Sequence, residues 1–423
     1  MRLDPFSDTY CSDPAKTWKR ILGFEGRQVL YDPDLDVWLI AGHDNVRAAL
    51  TDARRFSNAA TLAPLRPPSD AAATILSRFD APDVLVSADG AQHTRIRAIV
   101  RAVFPQASVQ VHQVWGALIA EHTSRLVDQL AGHESADLMR VVATRLPLLV
   151  IVDILGLPTD GKALPGSADG FASLVWGDFG AFAQRQAAIE LVQLWRYCRD
   201  SVIARAATPD GGDGLIGELL RHRDGDDARL TLDELAALVL NLIVASWGST
   251  SGALGHALDH ALADPHRWAR LADDEHYLAT HVEESLRHSP VIDGWLRLTT
   301  TDVTLDGVTI PAGSRCLLLI GTANHDPRVY ATPGRFDPGR AWLSQHLSFG
   351  AGPHYCIGAA LARLELTTVL RALARRLPHL RLAGGYQRRF RPNVAVRTHI
   401  SLPATGIAGG CPQGHDARTR SPQ

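Results

Sequence analysis

Lysine is almost missing from this chain. Lys16, Lys19 and Lys162 are the only lysines among 43 basic residues, so positive charge rests on arginines scattered along the sequence. Against 45 acidic residues the net charge is -2, which leaves no global field to draw nucleic acid or an anionic membrane. Cysteine is sparse too. The five present, Cys11, Cys198, Cys316, Cys356 and Cys411, are odd in number and widely spaced. That excludes a disulfide framework and predicts free thiols in a reducing cytoplasmic setting. The opening "MRLDPFSDTYCSDP" has no apolar signal core, and no uninterrupted apolar run approaches the ~18 residues of a membrane span. The most apolar run, "LAALVLNLIVASW" at 235–247, reads as a buried helix. Internal repeats and a clear domain boundary are also lacking.

What is present is globular: 423 residues, 46% hydrophobic and 21% charged, enough for a large core. Residues 28–41 alternate about a turn and predict a hairpin, with a helix over 43–57. The Ala-, Pro- and Asp-rich stretch 58–90 predicts a long loop with one short helix, a length typical of binding loops. Helical periodicity dominates 93–205, with breaks expected near Pro105, Pro147, Pro158 and the glycines of 161–180. "TLDE" at 231–234 is a capping box, opening an apolar helix that runs to Asp264-Pro265 and must cross the middle of the protein. A helix over 275–288, short strands over 297–320 turning at Asp306-Gly307, and strands near 381–402 complete the pattern. The Gly- and Pro-rich tail, 406–423, predicts disorder. Its "CPQGH" has metal-binding residue types but reads as part of that tail.

The stretch "LSFGAGPHYCIGAALARLEL" (347–366) sets Cys356 just ahead of a helix, where backbone N–H groups favour a thiolate. Gly350, Gly352 and Gly358 remove side chains where a flat body could approach the backbone, and Phe349 could pack on the sulfur. A thiolate on a loop shaped for a large flat partner suggests axial ligation of haem iron. The alternative is a buried thiol in a glycine-rich turn.

This loop resembles that of the cytochrome P450 family, F-x-x-G-x-[HR]-x-C-x-G. Here "FGAGPHYCIG" fills every fixed position with Phe349, Gly352, His354, Cys356 and Gly358. Further motifs stand in the family's order. "EESLR" supplies Glu284 and Arg287 of E-x-x-R, sharing a helix face. "PGRFDPGR" resembles the meander, with Arg335 expected to complete the ion-pair group. "HTRIR" gives His93 and Arg97 as haem-propionate partners, joined by Arg297 and His354. The resemblance covers roughly 5–405. It implies a mainly α (α+β) fold with a long central helix over the haem and small β-sheets, as a single domain over 1–405. It implies haem b with Cys356 as the axial thiolate and oxidation of a small molecule by O2. Electrons would come through a separate ferredoxin and ferredoxin reductase docking on the cysteine side, with Arg363 as a contact. Neither nucleic acid nor a membrane is expected as a partner.

The sequence departs from the family in the central helix, where [AG]-G-x-[DE]-T-[TS] becomes "ASWGST", Ala245 to Thr250. Ala245 fits the haem-facing place. Gly248 stands where the acid belongs and cannot relay a proton. Ser249 stands for the threonine and lacks the β-methyl that holds its rotamer; Thr250 follows. Three outcomes stay open. Ser249, Thr250 and water still deliver protons for ordinary hydroxylation; the substrate replaces part of the relay, as in oxidative C–C or C–N coupling or ring formation; or the protein is a haem sensor without turnover. The resemblance places Leu85, Val86, Trp176, Asp293, Trp295 and Val394 around the substrate, with Trp247 facing either pocket or core. Aromatic walls suit an aromatic or cyclic-dipeptide natural-product intermediate.

Overall fold

The computed structural model describes residues 3–24, 26–158, 164 and 168–407. The expected tail from residue 408 onward, with Cys411, lies outside them, as do most of the residues around Gly161 and Gly166. Gly406 and Ile407 are packed, Ile407 being 1% exposed, so the folded body extends slightly past 405.

The capping box forms as its sequence dictates. Thr231 Oγ1 accepts from Glu234 N, and Glu234 Oε2 accepts from Thr231 N, both at 3.0 Å. From there one helix, Leu232–Leu262, runs 31 residues, about 46 Å at 1.5 Å per residue. It has the length and hydropathy of a membrane span, yet 67% of its apolar window is buried in the protein. It ends short of Asp264, because Asp264 caps the next helix, Pro265–Asp273. The helices Arg145–Leu155, Ala181–Ala206, Glu275–His288 and Ala359–Arg376 pack around it.

A five-stranded sheet flanks this bundle. The hairpin Val29–Asp32/Val37–Ile40 pairs in parallel with Arg315–Leu319, which pairs antiparallel with Gly294–Thr299, and Phe56–Ser57 forms the far edge. The sheet thus fastens the N-terminal segment to the segment holding Trp295 and Arg297. The loop 58–90 holds one short helix, Asp70–Leu76. The break expected at Pro147 falls earlier. A π-helical turn, Met139–Ala143, precedes Arg145–Leu155, and Pro147 sits in that helix's first turn, where a missing N–H costs nothing. The short strand Ser135–Asp137, pairing with Pro403–Thr405, was not legible in the sequence.

Six histidines, His256, His260, His281, His288, His325 and His399, lie at or near the interface of the central helix with Glu275–His288 and its neighbouring loops. Burial lowers the pKa of each, to about 4 for His281 and His288 and about 3 for His399. They fold neutral and must charge in the unfolded chain below its ordinary value of about 6.5. Each therefore removes roughly 1.4 kcal/mol of stability per pH unit as pH falls from about 6.5 toward its own folded value. Burial raises Asp293 to about 6 and Glu365 to about 8, and raises Asp259 as well; these act in the opposite sense, gaining stability on acidification, but are three against six. The urea midpoint followed by circular dichroism is expected to drop steeply between pH 6 and 5. A level profile across that window refutes the neutral-histidine core.

Candidate active site

Cys356 lies between the turn Gly352–His354 and the helix Ala359–Arg376, and its N–H donates to Phe349 O at 2.9 Å. Two glycines make this loop possible. Gly350 and Gly352 have φ of +72° and +70°, and a Cβ on Gly352 would stand 2.8 Å from Thr51 Cα. Burial pushes the thiol pKa up, while the Gly358 N–H and the charges of Arg97 and Arg363 pull it down. Among the described residues no three His, Cys, Asp or Glu converge to hold a bare metal ion. A haem iron, which brings its other ligands with it, fits a site with the single donor Cys356.

Beside this loop the structure gathers two arginines and two histidines. Arg297 is 2% exposed; its Nη1 reaches only Thr61 Oγ1 at 3.1 Å and its own neighbour Leu296 O at 2.8 Å. Burial draws its pKa down to about 10. Arg97 donates to Tyr355 O at 2.6 Å and, among the described residues, has no carboxylate partner. His93 stacks on His354 with ring centroids 3.9 Å apart, and its Nε2 is buried without a partner. A buried guanidinium needs an opposing charge. The four side chains fit the two propionates of a haem seated over Cys356.

One acid enters this group. Asp89, capping the helix Gly90–Val103, accepts from Ser57 Oγ at 2.5 Å and from Asn58 Nδ2 at 3.0 Å, and Asn58 Nδ2 stands 2.9 Å from His354 Nε2. Sequence reasoning missed Asn58 and Asp89; the only signal is Asp89 ahead of "GAQHTRIR".

On the central helix, Ala245 is exposed and Ser249 half-buried within an otherwise buried run, so this face borders open space. Ser249 Oγ turns back to Ala245 O at 2.5 Å, while Gly248 and Thr250 are buried. Trp247, two residues and about 200° round from Ala245, is 8% exposed and donates Nε1–H to Thr144 O at 2.9 Å. It belongs to the core, bracing the central helix against the π-turn, and not to the pocket.

Among the expected pocket residues, Trp295 packs on Trp176 with centroids 5.3 Å apart, and Phe171 meets Trp176 edge-on at 6.2 Å. Val394 N donates to Trp176 O at 3.0 Å, so these walls do come together; Leu85 is buried and Val86 half-buried nearby in sequence. Asp293 is a correction. It is 1% exposed and accepts the Tyr10 hydroxyl. Its backbone N–H pairs with Ala395 O, which turns the carboxyl toward the N-terminal helix and Trp18. It fastens the N-terminus and faces no substrate.

Glu284 and Arg287 are both fully buried and paired bidentately at 2.7 and 2.8 Å. Arg335 is a second correction. It offers only its carbonyl, and Arg340 supplies the second guanidinium, 3.5 Å from Glu284 Oε1. Arg363 is less free than expected: it grips Glu283 at 2.5 and 2.9 Å and lies over Phe349.

A family model described as Cytochrome P450 matches residues 198–381. The chain is 31% identical over 411 residues to Cytochrome P450 monooxygenase PikC of Streptomyces venezuelae, covering 95% of this chain and 93% of that one. It is 32% identical over 407 residues to Cytochrome P450 107B1 of Saccharopolyspora erythraea, covering 94% and 96%. Among solved structures, the P450 heme domain of Tepidiphilus thermophilus superposes with a TM-score of 0.87 at 27% identity, over 96% of this chain and 97% of that one.

Proposed function

This chain belongs to the cytochrome P450 family, and from that premise we propose that it hydroxylates a small aromatic natural-product intermediate, with Cys356 as the axial ligand of haem b. A haem held by a cysteine thiolate supplies O2 activation and oxidising power that no side chain has. What this chain adds is binding, orientation and proton handling. Arg97, Arg297, His93 and His354 would hold the propionates, and Phe349, Gly350 and Gly358 would shape the cysteine side. Ala245 would leave room for the ring beside the central helix. Trp176 and Trp295 present π faces to a flat substrate, and Val394, Leu85 and Val86 close its apolar surround. The observation that carries the reading is a pair of arginines, the buried Arg297 and the half-buried Arg97, that no carboxylate among the described residues ion-pairs, beside Cys356 at the entrance to a helix. Electrons come from a separate ferredoxin and ferredoxin reductase in the cytoplasm, on the cysteine side, and the catalytic unit spans residues 1–405.

Proton delivery falls to Ser249 Oγ, with Thr250 behind it. To serve, Ser249 must release the Ala245 carbonyl and turn toward the substrate side; Gly248 cannot help. That bond favours a second reading, in which a substrate hydroxyl or N–H fills the space beside Gly248 and the product is a coupled or ring-closed molecule.

Both readings meet one test. Holoprotein is titrated with aromatic and cyclic-dipeptide compounds, and the compound that shifts the haem spectrum is turned over with ferredoxin, reductase, NADPH and O2. The expected product is heavier by one oxygen atom, and Trp295→Ala is expected to weaken binding at least about tenfold. A product lighter by two hydrogens selects the second reading. Binding without any product selects the haem sensor.

A further inference from the structure

The helices Asp70–Leu76 and Ala181–Ala206 enclose an open groove of about 500 Å³. The helices run side by side in the same direction. Gln184 Oε1 accepts from Ser69 N at 2.8 Å at one end, and Trp195 Nε1 donates to Asp80 Oδ1 at 2.7 Å past the other. The groove is lined by one face of each. Ile75 comes from the first, Arg78 from the turn two residues past its end, and Arg185, Ile189, Val192 and Arg196 from the second. The spacings of three, four and seven residues keep the second set on one side of its helix.

Its chemistry is divided along its length. Ile75, Ile189 and Val192 make an apolar floor. Arg196 lies at the Asp80 end and Arg78 lines the groove two residues before Asp80 in the chain, while Arg185 lies at the other end, eleven residues or about 16 Å along the helix from Arg196. All three arginines are exposed, and among the described residues none has a carboxylate at ion-pair distance. Asp80, whose charge acts on Arg199 and Arg196, is already held by the Trp195 indole. Arg199, one turn further on, is paired with Asp233 at 2.8 Å.

We propose that this groove binds a free aliphatic carboxylate. Its head lies between Arg78 and Arg196, whose planar forks match a carboxylate. Its chain lies on Ile75, Ile189 and Val192, toward Arg185. The volume falls within the roughly 300–1,000 Å³ of small-molecule sites. The two helices are already packed together at both ends, so the trough between them takes a chain and not a partner's helix. A ligand seated there touches both helices and so clamps the Asp70–Leu76 loop against Ala181–Ala206.

The test uses holoprotein saturated with imidazole, which blocks the iron side of the oxidation pocket. Decanoate and decan-1-ol are titrated by calorimetry, with the change in tryptophan fluorescence that Trp195→Phe removes as a second reading. One equivalent of decanoate is expected to bind about tenfold or more tightly than decanol. The Arg78→Gln/Arg196→Gln double variant is expected to lose that difference while its haem spectrum stays unchanged. Ile189→Glu, which charges the floor from an accessible position, is expected to abolish binding. Equal binding of acid and alcohol, undiminished decanoate binding in the double variant, or no binding at millimolar decanoate each overturns the proposal.

Discussion

Replacing Cys356 with alanine is expected to abolish the thiolate-type band of the reduced carbon monoxide complex and to take oxygenation of any bound substrate to background. The expectation rests on the absence of a substitute. Of the other cysteines described, Cys198 and Cys316 are buried in apolar surroundings that push their pKa up to about 12. Burial raises Cys11 as well, at the N-terminal helix. None stands beside Arg97 at the entrance to a helix. The loop itself survives the change, because Gly350, Gly352 and the Cys356 N–H to Phe349 O bond belong to the backbone. Haem still docks through Arg97, Arg297, His93 and His354, but with a weaker or water ligand. The spectrum of haem-loaded protein is the measurement, and a thiolate band in Cys356→Ala removes Cys356 as the ligand.

What could be read from the sequence follows from how local each signal is. The capping box needs only residues 231–234, and it places the start of the central helix correctly. The cysteine loop is equally compact, its glycines marking the two positions with positive φ. Glu284 and Arg287 lie three residues apart on one helix, so their pairing is implied by spacing alone. The failures all depend on where a chain goes next. "PGRFDPGR" contains two arginines in the same setting, and only the course of the meander decides that Arg340 and not Arg335 turns its guanidinium to Glu284. Asp293 sits two residues from Trp295 in sequence, yet its backbone pairing with Ala395 aims it at Tyr10. Trp247, left open between pocket and core, takes its place only through a carbonyl beside a π-turn a hundred residues away. The Asp89–Asn58–His354 chain joins three segments and leaves no local trace.

Glu284→Ala and Arg287→Ala are each expected to cost about 3–5 kcal/mol, the usual penalty for leaving a buried charge without its partner. A domain with a net stability of about 5–15 kcal/mol has little left after that loss, so the expected result is insoluble or haem-free protein. The surroundings sharpen the expectation. Glu284 Oε1 also accepts from Asp337 N at 2.8 Å, and Arg287 donates to Asn324 O at 2.8 Å and Pro333 O at 2.9 Å. An isolated buried pair can be exchanged for two apolar residues at little cost. Here Glu284→Leu/Arg287→Met would strand one backbone N–H and two carbonyls, each worth about 1–3 kcal/mol when left unsatisfied. The double variant is therefore expected to be as damaged as either single one, and Arg340, 3.5 Å from Glu284, cannot replace the lost fork. Arg287→Lys keeps the charge but not the planar geometry, and is expected to fall between. Haem content and the urea midpoint measure all four. Recovery of stability in the double variant would show a simple pair, and normal holoprotein from either alanine variant would show that the pair does not hold the meander at all.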